Sequence, residues 1–165
     1  MKTLLKIVGG IVALLIVLLI IVRITGFPPK NRRPGLWITG PVTTAPVRDW
    51  SFTDQYFTIQ VQTNPSYGIA HSVNIFCIAY DGQLYLASIY PAGAPPYPGP
   101  RLWDQYVARN PHVRLKIGGQ IYDRVLVHVT DPAEHDAVIQ AQTKKYPSYK
   151  YPATSGFNVF RVTNG

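Results

Sequence analysis

Four polar side chains stand where the chain changes course, and their types suit the capture of an anion: His71, Ser72, Ser88 and Arg101. Arg101 opens the stretch RLWDQYVAR, in which Leu102, Tyr106 and Arg109 fall at helical spacing. A guanidinium beside the free amides of a helix start can hold a phosphate or a carboxylate. A cation at that end also opposes the helix dipole, a local conflict that points to use. His71 and Ser72 open a β-prone run as a polar pair able to touch a phosphate or to move a proton. Ser88 closes another such run and has a hydroxyl to donate. Trp103 and Tyr106 lie three apart on one helical face, where core or dimer packing and ring stacking are both open to them. Tyr90 and Tyr97 sit in a proline-rich stretch and suit an aromatic lid or a protein contact.

Other chemistries lack their residues. Glu134 is the only glutamate, so a pair of glutamates for general acid–base work is excluded. His112, His128 and His135 fall on two strands and a helix without ligand spacing, and no metal site is expected. Cys77 lies in an apolar run and reads as a small buried hydrophobe. Phosphate-loop, dinucleotide-binding and serine-elbow motifs are absent.

The elements that must position these groups are short. Residues 57–63 (FTIQVQT) alternate apolar and polar, the pattern of a half-buried strand. Runs 73–80 and 83–88 flank Asp81-Gly82, a hairpin signal because the turn needs positive φ. Residues 112–117 and 120–130 make a second hairpin around Gly118-Gly119. Asp131 is placed to cap a helix that has Pro132 at its first position and runs to about Lys145. A last strand covers 157–162, and two β-prone pieces within 37–47 surround Gly40-Pro41. Residues 89–100 hold five prolines and read as a loop over a site. The order suggests an α+β fold, a small β-barrel with flanking helices.

The chain has 165 residues, enough for one domain with a core of its own. Its net charge of +8 is uneven: residues 1–33 carry +6 with no acid, and the remainder carries only +2. That near-neutral remainder argues against a nucleic-acid partner. Residues 7–22 (IVGGIVALLIVLLIIV) carry no charge and, continued to Phe27, reach about 31 Å as a helix, which matches a bilayer core of about 30 Å. The expected organisation is a transmembrane anchor over 1–27, a basic proline-rich linker over 28–36 and a barrel domain over 37–165. A cleaved signal peptide is the other reading, though no small-x-small site follows Val22. Basic residues on both sides leave the orientation open, and the six-residue tail favours a domain outside the cytoplasmic membrane.

The ordered set Asp81-Gly82-x-Leu84-Tyr85-x-x-Ser88, Trp103, Asn110-Pro111-x-Val113-x-Leu115-x-Ile117-Gly118-Gly119, Asp131-Pro132-x-Glu134 and Lys145-Tyr146-Pro147 resembles the split-barrel flavin-binding superfamily. That group includes the pyridoxamine phosphate oxidases and, closer in pattern, the deazaflavin-dependent nitroreductases and quinone reductases. The resemblance covers about residues 57–163 and implies a split β-barrel, a homodimer, and FMN or a deazaflavin in a groove against the partner subunit. It further implies that His71, Ser72, Ser88 and Arg101 touch the cofactor phosphate, with Trp103 shaping the pocket. A reductase that passes electrons to a quinone-like acceptor would suit the anchor. This chain has Tyr106 where such proteins carry Asn, and Tyr67–Ser72 in place of a basic, glycine-rich segment. Few phosphate donors leave a second reading, a non-catalytic accessory subunit of a membrane complex without cofactor. A third is a haem carrier with His71 or His128 as ligand.

Overall fold

Two hairpins and a broken strand build the sheet. The computed structural model describes residues 2–152 and 154–164. Helix α1 spans Lys2–Thr25 and is long and apolar enough to cross a membrane. The strands are β1 (Ile59–Thr63), β2 (His71–Ile75), β3 (Cys77–Tyr80), β4 (Gln83–Tyr90), β5 (His112–Ile117), β6 (Gln120–His128) and β7 (Gly156–Thr163). Helices α2 (Leu102–Arg109) and α3 (Pro132–Lys145) interrupt them. Asp81 and Gly82 turn β3 into β4 at φ 49° and 71°, the paired positive angles that a two-residue hairpin demands.

All pairings are antiparallel, in the order β2-β1-β5-β6-β7-β4-β3. Only Phe76 separates β2 from β3, so the two ends of the sheet are halves of one chain segment and the sheet curls to bring them together. The α+β split barrel is the expected fold class. Inward residues of alternating strands fill it: Val61, Leu84, Leu86, Leu115, Phe160 and Val162 are essentially inaccessible. Helix α2 plugs one end with Trp103 and Val107. The hairpin end is closed by Trp50, which meets Tyr122 edge-on at 5.4 Å ahead of a 3-10 turn at Ser51–Gln55. Helix α3 covers the outer face, where Val138 packs with Ile78, Tyr85, Ala87 and Val159. Asp131 caps it by accepting a hydrogen bond from the Glu134 amide at 2.9 Å, a contact typically worth about 1 kcal/mol.

The β-prone pieces in 37–47 do not form strands. They run extended over the barrel, joined to it by one parallel bridge between Val42 and Ile121 and by hydrogen bonds such as Ile38 N–H to Gln62 Oε1 at 2.9 Å and Lys116 Nζ to the Thr39 carbonyl at 2.7 Å. Upstream, Gly35 and Ser72 exchange two backbone hydrogen bonds at 2.8 and 2.9 Å. Phe27 donates to Trp37, and Asn74 donates to the carbonyls of Pro29 and Asn31. A Cβ on Gly35 would come within 2.6 Å of the backbone at residues 27–29, so only glycine lets this strap close on itself.

Candidate functional site

At the α2 end of the barrel, three elements converge on one polar cluster. Ser88 and Asn158 are register partners on β4 and β7, on the inward face beyond Leu86 and Phe160. Asp104 lies beside Trp103 and one turn before Val107, on the buried face of α2. All three are almost inaccessible, and Asn158 Nδ2 donates to Asp104 Oδ2 at 3.0 Å. The Ser88 hydroxyl lies beside the carboxylate, yet neither it nor Asp104 Oδ1 completes a hydrogen bond. Burial raises the Asp104 pKa to about 6, against smaller lowering effects of Asn158, Ser88 and Arg101.

The proline-rich loop is pinned over this cluster. Tyr97 stacks on His128 at 4.0 Å with 12° between the planes, and both rings lie against Phe160. Gln105 donates to the Gly99 carbonyl at 3.1 Å. Burial pushes the Tyr97 hydroxyl pKa up, with Asp104 adding to it, and pulls the His128 imidazole down.

Three of the five residues expected to hold a cofactor surround the start of α2. Ser88 belongs to the buried cluster. Arg101 is the residue before the helix, exposed, with its Nε donating to the Ile89 carbonyl at 3.0 Å. Trp103 is buried in the core, 5.2 Å from Phe160. The other two lie elsewhere. His71 packs against Tyr106 at 5.4 Å; its Nδ1 is unpartnered, and burial lowers its pKa. Ser72 is fully buried on the opposite sheet face from Val73 and Ile75, its backbone paired with Gly35. Tyr106, standing where Asn was expected, shares a 3.1 Å hydrogen bond with the Tyr67 hydroxyl. Cys77 is inaccessible, with its thiol pKa raised by burial.

The sequence reading passed over Asp104 and Asn158. The signal for both was periodicity: Asp104 shares the helical stripe of Val107, and Asn158 shares the alternation of Phe160 and Val162.

This arrangement is a poor phosphate cradle. A phosphate needs several donors of positive character, and here an ionisable carboxylate lies next to the one free hydroxyl. The carboxylate also gives a pH signature. Between pH 3.8 and about 6 the folded chain holds the Asp104 proton more tightly than the unfolded chain. Stability is therefore greatest below the unfolded pKa and falls as pH rises through the folded pKa. The expected result is that Asp104→Asn matches the parent near pH 4 and exceeds it at pH 7.5 by about 1–3 kcal/mol. Urea unfolding at both pH values checks this, and equal stability at pH 7.5 would refute the buried, ionised carboxylate.

No family model matches the sequence, and a search of curated proteins found no match. Solved structures are similar in fold. A conserved hypothetical protein from Mycobacterium tuberculosis aligns with TM-score 0.51 and 14% identity over 68% of this chain and 76% of its own. A candidate 5-nitroimidazole antibiotic resistance protein from Bacteroides thetaiotaomicron aligns with TM-score 0.50 and 14% identity over 81% and 88%. A candidate pyridoxamine 5'-phosphate oxidase from Listeria innocua aligns with TM-score 0.48 and 16% identity over 68% and 87%. The chain shares its fold with the first two of these structures, and its curled seven-stranded sheet is the expected split barrel.

Proposed function

We propose that this chain is a bilayer-tethered binding module, an accessory subunit of a membrane complex rather than a reductase that works alone. Residues 1–27, which include helix α1, serve as a single-pass anchor in the cytoplasmic membrane, with the basic segment 28–36 and the barrel domain 37–165 outside it. The observation that carries this reading is the buried Asp104 carboxylate beside Ser88, where the family resemblance would put a cofactor phosphate. The rest of the donor set agrees: Ser72 lies on another face, His71 favours its neutral form, and Arg101 spends one N–H on a backbone carbonyl.

One observation favours a second reading, a homodimeric reductase that uses FMN or a deazaflavin and passes electrons to a quinone-like acceptor. The Ser88 hydroxyl is buried without a partner one loop away from Arg101 and the start of α2. On that reading Ser88 and Arg101 hold the phosphate, and the bound cofactor supplies the hydride chemistry.

Adding FMN, and separately a deazaflavin cofactor, to the full chain in detergent distinguishes the two. The binding-module reading expects no saturable change in the visible spectrum at micromolar cofactor. A saturable shift weakened at least tenfold by Arg101→Ala would overturn it in favour of the reductase.

A further inference from the structure

Beside the last turn of α1, a cavity of about 600 Å³ opens between Arg23, the extended residues 37–40 and strands β1, β5 and β6. Its lining carries Arg23, Arg114, Arg124 and His112 against one acid, Asp123. Asp123 is already committed, accepting two hydrogen bonds from Arg114 at 2.8 and 3.1 Å. Among the described residues no carboxylate pairs with Arg23 or Arg124.

The Arg124 side chain is on the other face of the sheet, because it alternates with Asp123 and shares the barrel side with Tyr122 and its register partner Val113. It is 7% exposed, and its guanidinium donates only to the carbonyls of Asp123 at 2.7 Å and Ala45 at 3.3 Å. It lies 5.5 Å from the rings of Trp50 and Tyr122, and its Nε is buried with no partner. On the cavity side Arg23 is the cation without a carboxylate partner among the described residues, and an anion between it and Arg114 would gain charge-assisted hydrogen bonds from both. The lining also offers the polar side chains of Thr39, Gln62 and Asn64, and Trp37, a residue type enriched at bilayer interfaces, belongs to it as well. Because Arg23 belongs to the last turn of α1, a bilayer-spanning α1 places the cavity at the depth of the lipid headgroups.

We propose that this cavity binds the phosphate of an anionic phospholipid headgroup. The proposal rests on the reading of α1 as a membrane span. A soluble phosphate ester offers the same chemistry, and the test separates the two.

The full chain in mild detergent is offered phosphatidylglycerol or phosphatidylcholine, and retained lipid is counted by native mass spectrometry. The expected result is retention of phosphatidylglycerol over phosphatidylcholine by about tenfold. The double variant Arg23→Gln, Arg114→Gln is expected to lose that preference while its thermal midpoint stays within a few degrees. A second variant, Asn64→Asp, adds a negative charge without removing an ion pair and is expected to show the same loss. It serves as the test if the double variant unfolds. No headgroup preference in the parent, or undiminished preference in a folded variant, overturns the proposal. Displacement of the lipid by millimolar glycerol 1-phosphate, which would itself raise the thermal midpoint, overturns the lipid as source. Flotation with pure phosphatidylcholine vesicles reports on the anchor alone, so a failed anchor and a failed headgroup site give different results.

Discussion

Phe160→Ala is expected to lower stability by about 3–5 kcal/mol, enough to leave a protein of ordinary stability, about 5–15 kcal/mol, at the edge of unfolding. Phe160 is fully buried and meets three other parts of the molecule: Trp103 of α2 at 5.2 Å, Tyr97 of the proline-rich loop at 5.7 Å, and His128 of β6 at 5.6 Å. Removing the ring leaves a cavity that helix, loop and strand would all have to collapse into, and the rigid barrel wall resists that. Chemical denaturation measures the effect as a lower midpoint with a similar slope. Val127→Ala is the control: Val127 is 40% exposed, and its loss should cost no more than about 0.5 kcal/mol. A cost below about 1 kcal/mol for Phe160→Ala would mean that α2 does not close the barrel as described.

The double change Leu15→Arg, Leu18→Arg is expected to move the protein from the carbonate-resistant membrane pellet to the supernatant. Helix α1 has 24 residues, about 36 Å in length, so Leu15 and Leu18 lie well inside the hydrocarbon of a spanning helix. Each central arginine costs roughly 2.5–3.5 kcal/mol of insertion free energy, and two exceed what the flanking apolar residues comfortably offset. Retention of the double variant in the pellet would show that the segment is not the anchor. The mass of the mature parent protein tests the signal-peptide alternative in the same preparation, because cleavage removes α1 altogether.

The legible parts of this fold were those decided locally. Asp81-Gly82 and Gly118-Gly119 announce hairpins because their turns need backbone angles that few other residues adopt. Asp131-Pro132 announces α3, because cap and first helical position act within one turn. What stayed hidden depends on distant partners. Run 73–80 reads as one strand, but Phe76 breaks it and packs between Tyr146 at 4.5 Å and Tyr149 at 4.7 Å, and the barrel closes there. Residues 37–47 have strand-like composition, but β6 pairs with β5 over 120–125 and with β7 over 125–128, so only its first residues have a free side, and there the segment makes one bridge, Val42 to Ile121. The candidate site divides in the same way. Ser88 and Arg101 could be placed near one another from element order alone. Period-two alternation separates His71 from Ser72, but it does not say which face a strap will cover. Asp104 is a charged residue on a buried stripe, and its partner Asn158 lies 54 positions away in sequence.

The strap between α1 and the barrel has a mechanical consequence. Its hydrogen bonds to β1, β2 and β5 use up the chain between helix and sheet, so the tether has almost no free contour length. A barrel on a slack linker would sweep a hemisphere and meet soluble and membrane-bound molecules alike. On the reading of α1 as a membrane span, a barrel held without slack rides at one height and with one side toward the lipid. On that reading its encounters are a two-dimensional search along the bilayer, in which a partner embedded in the same membrane is met at high effective concentration and a soluble one gains nothing from the tether.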